Sequence, residues 1–285
     1  MSVVIACYKW VADEADIRIN ADLSVDTSKA KGKISDYDKH AIEAAVEVAQ
    51  VLGVKPVGLT FGGLKTKQSL KDALSRGLEE AYWVKTEDST PVDGTVTARA
   101  LAVAVNKIAN FSLVICAEGA SDTYARQTAP RIGALLDLPV ITSVAKMEIQ
   151  GNTLIAQRKL DDCVETVKAE LPVVVAVLPE AYRPTIPGLK AVMAAGKKPV
   201  TEFQAQDMGI DLTPKAQTTA PKGYAMDRRN IILSEGEAAD RVKELLAALR
   251  KHSCKQTKMD FGKKRILPYN DTQGRSMNAL IKKSH

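Results

Sequence analysis

Residues 112–136, SLVICAEGASDTYARQTAPRIGALL, indicate the fold more clearly than any other stretch of the chain. The stretch begins with the apolar run SLVICA, continues through a polar segment of small residues, and ends in a helix-like run. A buried parallel strand followed by a loop and a helix is the repeating unit of an α/β sheet. The loop has neither the Gly-Lys-Ser/Thr of a phosphate loop nor the spaced glycines of a dinucleotide fingerprint.

Strand-like and helix-like segments alternate through the first half of the chain. The predicted strands cover residues 3–9, 55–62, 80–86, 112–119 and 138–149, and the predicted helices cover 36–52, 65–78 and 92–109. Such alternation is typical of a parallel sheet with helices on both faces, and ligands bind such sheets beyond the carboxyl ends of the strands. We therefore expect the binding site in loops 7–11, 35–38, 61–63 and 118–127.

The pattern changes after residue 145. Gln150-Gly151-Asn152 predicts a β-hairpin, and residues 164–179 predict a further strand-like run. Residues 230–252 predict a strand and a late helix, with Ser234 and Glu237 as a capping box. We expect a nucleotide-binding α/β domain at 1–200, a C-terminal arm at 201–253 that packs on a partner subunit, and a basic, disordered tail at 254–285.

Composition and charge limit the class of protein. Of 285 residues, 45% are hydrophobic and 26% are charged, as in globular proteins. No apolar run approaches the roughly 18 residues of a membrane span, and the opening MSVVIACYKW predicts a strand rather than a signal peptide. The net charge of +6 lies entirely from Cys254 onward, as in a solvated tail. We expect a cytoplasmic protein with no nucleic-acid partner and no membrane insertion.

The sequence shows no catalytic or metal-binding motif. Its four cysteines form no CxxC pair, its three histidines are scattered, and GxSxG and HExxH are absent. The acidic cluster at 160–165 is typical of a solvated turn. We predict that Cys7 and Cys116 are buried strand residues, that no metal is bound, and that the chain has no catalytic residues of its own.

The loop 118–127 offers neutral groups to a nucleotide. Free amides and the dipole at a helix N-terminus attract anions, and Thr123, Tyr124 and Gln127 add neutral donors. We expect Ser121 and Asp122 to cap the following helix. Because the loop has neither a phosphate-loop Lys nor a pair of metal carboxylates, it favours nucleotide binding without turnover. A helix cap without a ligand is the alternative.

The segment AQRKLDDCVETVKAELPVVVA (156–176) resembles the motif of electron transfer flavoprotein beta subunits. The matching positions are a small residue, a basic residue, an acidic turn, a Glu, and a Pro before a strand: Ala156, Arg158, Asp161, Asp162, Glu165 and Pro172. Cys163 departs from the Gly, Asp or Glu of the family. Stretches 6–20, 33–49, 116–142 and 184–200 extend the resemblance to roughly residues 1–250.

The resemblance implies a Rossmann-like, doubly wound, mostly parallel sheet of the adenine nucleotide alpha hydrolase-like type, with a β-hairpin addition and a C-terminal arm. It further implies a heterodimer whose alpha subunit holds the redox-active FAD. This chain, the beta subunit, would shuttle electrons between acyl-CoA-type or other flavin dehydrogenases and a downstream acceptor. The residues implied to line its nucleotide site are Cys7, Ser35, Asp36, Tyr37, Asp38, Phe61, Gly119, Ser121, Asp122, Thr123, Tyr124, Ala125 and Gln127.

Within the family, the chain is most similar to the FixA-type branch, which shares Ser-Asp-x-Tyr-Ala-x-Gln at 121–127. The nucleotide on this subunit is then either AMP or a second FAD, and Leu189 corresponds to an apolar anchor that docks into a partner dehydrogenase. The main alternative is a stand-alone adenine-nucleotide-binding module of the universal-stress-protein kind, which does not need the 203–252 arm. A nucleotide-dependent ligase or hydrolase comes third, because the catalytic groups are missing.

Overall fold

The computed structural model describes residues 2–108, 110–219, 221–224 and 230–252, with side chains up to residue 250. Two compact units are present, Met1–Ala225 and Met226–His285. The tail 254–285, for which we predicted disorder, lies outside the described residues. The division at residues 200 and 253 stays a prediction.

Strands and helices alternate through the first half of the chain as the sequence predicts. The strands are β1 (Val3–Cys7), β2 (Trp10–Ala12), β3 (Arg18–Ile19), β4 (Val25–Asp26), β5 (Gly32–Ile34), β6 (Lys55–Gly62), β7 (Glu80–Lys85), β8 (Phe111–Ala117), β9 (Val140–Gln150), β10 (Thr153–Lys159), β11 (Val164–Glu170), β12 (Val173–Val177) and β13 (Val200–Gln204). The helices are α1 (Asp36–Leu52), α2 (Lys67–Ser75), α3 (Gly94–Lys107), α4 (Thr128–Leu136) and α5 (Leu189–Ala195), and the second unit contains α6 (Ala238–His252). The short strands β2 to β5 depart from the alternation, and four consecutive strands follow α4.

Nine strands form one sheet in the order β11-β10-β9-β12-β8-β1-β6-β7-β13. The pairs from β9 through to β13 are parallel, and only the pairs that β10 makes with β9 and β11 are antiparallel. The predicted α/β class with a doubly wound, mostly parallel sheet is therefore confirmed. Short two-stranded sheets, β2-β5 and β3-β4, fill the connection between β1 and α1.

Apolar side chains cover both faces of this sheet. On one face, Ile42 of α1 and Leu74 of α2 pack with Trp83 and are almost fully buried. On the other face, Leu101 of α3 and Ile132 of α4 pack against the central strands. Strands buried from both sides read as continuous apolar runs, which explains why the parallel strands are recognisable in the sequence.

The order of the strands reverses at β1, which lies between β6 and β8. From β1 the chain adds β6 and β7 on one side and then crosses to β8 on the other. The connections after β1 and β8 therefore lead in opposite directions and leave a crevice between their carboxyl ends, which is where open α/β sheets bind ligands. This reversal positions the loop 118–127.

The run 164–179, predicted as one strand, consists of two. β11 ends the hairpin extension, and after Leu171 and Pro172 the chain turns into β12, which enters the middle of the sheet between β9 and β8. Proline lacks the N–H that a central strand must donate, so the ladder is interrupted there. The hairpin turn itself, with Gly151 at φ 59°, is confirmed.

Two predictions for the C-terminal region are wrong. Residues 230–237 contain no strand, and the carbonyl of Glu237 accepts from the amides of Asp240 and Arg241, so that α6 begins at Ala238. Ser234 and Glu237 therefore form no capping box. The isoleucines at 231 and 232 that suggested a strand are exposed and have no neighbouring strand to pair with among the described residues.

Candidate functional site

The carboxyl ends of β1 and β8 and the start of α1 are joined by direct hydrogen bonds. The amide of Lys9 donates to Asp38 at 2.8 Å, and the Lys9 ammonium binds Asp122 at 2.5 Å. The amide of Ser121 donates to the Ser35 hydroxyl at 3.1 Å. Residues that are distant in the sequence, and that we predicted to share one site, thus form one connected network at the reversal of the sheet.

The predicted cap of α4 is wrong, because Ser121 and Asp122 do not precede the helix directly. The helix begins at Thr128, and Gln127 occupies the N-cap position without a side-chain bond. A helix that began at 122 would place Pro130 in its interior, where the ring clashes with the preceding turn. In the observed helix, which begins at Thr128, Pro130 lies in the first turn, where its missing N–H costs no helical hydrogen bond. Residues 121–127 are therefore free to form a loop.

Two tyrosines lie beside each other at this loop. The ring centroids of Tyr37 and Tyr124 are 5.0 Å apart with planes inclined at 48°. Tyr124 has φ 44° and lies over Gly119, where a Cβ atom would come within 2.4 Å of the ring. Gly119 is therefore required for this position of Tyr124, which keeps 41% of its surface exposed.

Each cation of the loop is matched by an acidic side chain. Glu118 is buried and binds Arg126, and the Ser143 hydroxyl donates to the same carboxylate at 3.4 Å. Lys9 and Asp122 form the second pair. A buried carboxylate needs such partners, so the acidic residue after the apolar strand 112–117 was a usable signal for Arg126. Lys9, Glu118 and Arg126 lie within the predicted loops 7–11 and 118–127 but were not named as individual site residues, and Ser143 lies outside the predicted loops.

Asp38 is a buried carboxyl group at the N-terminus of α1. Burial raises the pKa of Asp38 to about 8, and the hydrogen bond from the Lys9 amide and the nearby Lys9 charge only partly oppose this effect. The carboxyl group is therefore largely protonated at neutral pH, and the site carries less negative charge than its sequence suggests.

Not all predicted residues meet at the network. Asp36 points to Lys33 and Lys39, at 2.8 and 2.5 Å. Phe61 lies near the end of β6, on the far side of β1 from the loop, and packs on the face covered by α3 and α4. Thr123, Ala125 and Gln127 are exposed on the loop.

The prediction that Cys7 and Cys116 are buried strand residues is confirmed, with 4% and 3% of their surface exposed. They lie on neighbouring strands, and a hydrogen bond between the two side chains, together with burial, raises the pKa of the Cys116 thiol. The Cys116 thiol is therefore protonated and unreactive at neutral pH.

The segment 156–176 lies close to the loop. Arg158 donates to the carbonyl of Thr142 at 2.8 Å and to the Glu165 carboxylate at 3.0 Å. Thr142 is followed by Ser143, which binds Glu118. Asp161 and Asp162 form an exposed turn between β10 and β11, as predicted, whereas Glu165 lies in β11 and is partly buried.

An exposed apolar ridge lies away from the loop, at the start of α5. Ile186, Leu189 and Met193 expose 89%, 78% and 69% of their surface. Leu189 and Met193 are one helical turn apart and share a face. The family resemblance implied Leu189 as an exposed anchor; Ile186, which is more exposed, was missed because an isoleucine between prolines gives no periodic signal.

The site residues are compatible with an adenine nucleotide. The Ser121 hydroxyl is buried without a hydrogen-bond partner among the described residues, and such an orphaned group is a position for a ligand. The loop adds an aromatic face, because Tyr124 is exposed. Within the part of the chain that the structure describes, no group of three His, Cys, Asp or Glu residues is placed to hold a metal ion, and no helix is long and apolar enough to cross a membrane.

The fold is that of an α/β protein with the loop 118–127 at the reversal of its sheet and an exposed apolar ridge at Ile186, Leu189 and Met193. A family model for the electron transfer flavoprotein domain matches residues 22–208. The chain therefore belongs to the electron transfer flavoprotein family, whose members bind flavin, work with flavin dehydrogenases and carry electrons rather than act as enzymes.

Proposed function

We propose that the chain is the beta subunit of a heterodimeric electron transfer flavoprotein of the FixA-type branch. It carries electrons between acyl-CoA-type or other flavin dehydrogenases and a downstream acceptor in the cytoplasm. The observation that carries this proposal is the network at the sheet reversal, where Lys9, Asp38 and Ser35 hold a loop of neutral donors at 118–127. This arrangement suits retention of a nucleotide, since the loop offers no group that drives phosphoryl transfer.

The nucleotide on this subunit is AMP or a second FAD. A flavin bound here or on the alpha subunit supplies the redox chemistry by accepting and releasing electrons. The residues of this chain bind the nucleotide and orient it. The amides and hydroxyls of 119–127 meet the polar part of the nucleotide, and Tyr37 and Tyr124 provide an aromatic surface for a ring. The protonated Asp38 carboxyl limits charge repulsion of a phosphate.

The apolar ridge Ile186, Leu189 and Met193 suits docking to a dehydrogenase. A small exposed patch with a few apolar anchors favours a short-lived complex. An electron carrier needs such a complex, because it must leave its donor before it reaches its acceptor.

The second unit supports an association with the alpha subunit. Val242, Leu245, Leu246 and Leu249 recur at helical spacing on one face of α6, and each exposes between 46% and 55% of its surface. An apolar helix face of this kind is stabilised by burial against another surface. We propose that the alpha subunit covers it.

A stand-alone adenine-nucleotide-binding module is the second candidate. The observation that favours it is that every residue of the network lies in the compact unit Met1–Ala225. Such a module would retain ATP or AMP without flavin, and would be stable alone.

Cofactor analysis separates the two functions. The chain is co-purified with an electron transfer flavoprotein alpha subunit, the complex is denatured, and the released FAD and AMP are quantified. One FAD with one AMP indicates a simple carrier, whereas two FAD without AMP indicates a second flavin on this chain. A stable chain that forms no complex and holds no flavin refutes the carrier function.

Two sets of variants test the assigned surfaces. Ile186→Ala and Leu189→Ala are each expected to slow electron transfer from the dehydrogenase without changing the flavin spectrum, and unchanged rates contradict docking at the ridge. The double variant Tyr124→Ala with Gln127→Ala is expected to lose nucleotide. Full occupancy in that variant moves the nucleotide site elsewhere.

A further inference from the structure

The turn that precedes the apolar ridge is bound by side chains from two helices. The amide and the hydroxyl of Thr185 donate to the two carboxylate oxygens of Glu43 at 2.8 and 2.9 Å. The carbonyl of Thr185 accepts from Arg76 at 3.4 Å. Every polar atom of Thr185 therefore has a partner on α1 or α2, although Thr185 itself is exposed.

The groups that bind the turn are themselves fixed. Arg76 exposes only 13% of its side chain and binds Asp72 at 3.0 Å. On α1, one turn before Glu43, the His40 ring donates from Nδ1 to the carbonyl of Tyr182 at 2.5 Å. Both helices pack on the sheet through buried apolar residues. The turn is therefore connected to the rigid part of the molecule at both Tyr182 and Thr185.

An open pocket lies between α2 and the part of the turn that carries the ridge. It has a volume of about 430 Å³, and Pro187 and Val192 form its wall on the side of the ridge. Ile186 exposes 89% of its surface, whereas Ala181 and Tyr182, before the turn, pack against the core. Because exposed segments beside open space open at low free energy, we expect the polar contacts of Thr185 to restrain the part of the turn that leads to Ile186.

We infer that Glu43 is a positioning residue for docking, which holds Thr185 so that Ile186 and Leu189 are presented in one conformation. The inference rests on the proposed docking function of the ridge. Docking of a preordered segment avoids the free-energy cost of ordering it in the complex, and a restrained anchor also raises the rate of productive encounters. Glu43 bonds to Thr185 and does not belong to the ridge itself, so we expect its effect to fall on the association step.

The test uses the complete heterodimer and an acyl-CoA dehydrogenase that reduces the wild type. Glu43→Ala removes both bonds to Thr185, whereas Glu43→Gln keeps an acceptor for the amide and a donor for the hydroxyl. Glu47→Ala removes the same charge one turn further along α1, where Glu47 is exposed, and is the matched control. Thr185→Val removes only the hydroxyl and leaves α1 unchanged, which guards against a folding defect in the Glu43 variants.

Two quantities are measured for each variant: the exchange rate of the Thr185 amide hydrogen, and KM and kcat for the dehydrogenase. For Glu43→Ala we expect exchange and KM to rise about tenfold while kcat and the rate of reduction by dithionite stay unchanged. Glu43→Gln is expected to restore most of the wild-type values, Thr185→Val to give a KM about threefold higher, and Glu47→Ala to match the wild type.

The outcomes separate the inference from the docking function on which it rests. Faster exchange with an unchanged KM overturns the positioning role, as does unchanged exchange in Glu43→Ala or an equal rise of KM in Glu47→Ala. If Ile186→Ala and Leu189→Ala also leave KM unchanged, the docking function itself is refuted. If those two raise KM and Glu43→Ala does not, docking stands and only the role of Glu43 is refuted.

Discussion

Replacing Asp93 is expected to loosen the segment that follows β13. Asp93 is the N-cap of α3, and one oxygen of its carboxylate accepts from the amides of Thr95 and Val96 at 2.9 and 2.8 Å. The other oxygen accepts from the amides of Lys215 and Ala216 at 2.7 and 3.0 Å. In Asp93→Asn, the remaining oxygen can still accept from the amides of Thr95 and Val96 and keep the cap. The side-chain amide group then faces the amides of Lys215 and Ala216 and cannot accept from them. We therefore expect Asp93→Asn to weaken the attachment of residues 215–216.

The magnitude follows from the pKa of Asp93. Burial alone would raise this pKa, but the backbone N–H donors outweigh that effect and lower it from 3.8 to about 2. A difference of this size corresponds to about 2.4 kcal/mol at 1.36 kcal/mol per pKa unit. Because the carboxylate lies near the surface, solvent screening reduces the figure to about 1 kcal/mol. We expect Asp93→Asn to lower the free energy of unfolding by about that amount at pH 7.

The pH dependence has a definite sign. A carboxyl group with a lower pKa in the folded state stabilises the protein above its unfolded pKa, and this stabilisation is lost as the pH falls from about 4 to about 2. Urea unfolding at pH 7 and pH 3 is compared for the wild type, Asp93→Asn, and the exposed control Asp207→Asn. Amide exchange at Lys215 and Ala216 is measured in parallel. A difference between wild type and Asp93→Asn that is the same at both pH values refutes the reasoning.

Two further variants test the packing around the site and around α2. Gly119→Ala is expected to displace Tyr124 and to reduce the retained nucleotide several-fold, because its Cβ atom would come within 2.4 Å of the tyrosine ring. Gly188→Ala is the control, because a Cβ atom at that position meets open space. Equal nucleotide occupancy in both variants contradicts the assignment of the site to this loop. Lys198→Met is expected to cost about 1–2 kcal/mol in urea unfolding, because the ammonium donates to the carbonyl of Leu74 in the last turn of α2 at 2.9 Å and to that of Leu78, beyond the helix, at 2.6 Å. If Lys197→Met, a change at an exposed neighbour, lowers the free energy of unfolding by the same amount, the hydrogen bonds of Lys198 do not contribute to stability.

The parallel sheet was predictable because its strands are buried on both faces and read as apolar runs. VVIAC and SLVICA identify β1 and β8 directly, whereas their position beside each other is seen only in the structure. The start of α4 was not predicted, although Pro130 marks it, because the polar residues 121–122 offered a more familiar cap. The strand predicted at the start of residues 230–252 was wrong for a different reason: β-propensity produces a strand only where a neighbouring strand is available.

The side-chain contacts of the site were less predictable than its location. Loops 7–11, 35–38 and 118–127 were expected together, and three hydrogen bonds join them. The pairing of Glu118 with Arg126 depends on left-handed backbone at Tyr124 and Arg126, with φ 44° and 57°, which neither residue type favours. The bonds between Glu43 and Thr185 join positions 142 residues apart. No pattern in a single sequence connects such positions.

The late entry of β12 into the sheet has a consequence for synthesis of the chain. β8 leaves the ribosome well before β12, which follows only after α4 and the three strands of the hairpin extension. Until Val173–Val177 has emerged, one edge of β8 has no partner, and open strand edges are sites of misassociation. Pairing over a long sequence separation is also slow. A nascent chain stalled before Val173 is therefore expected to need chaperone protection, whereas one stalled after Val177 can complete the centre of the sheet.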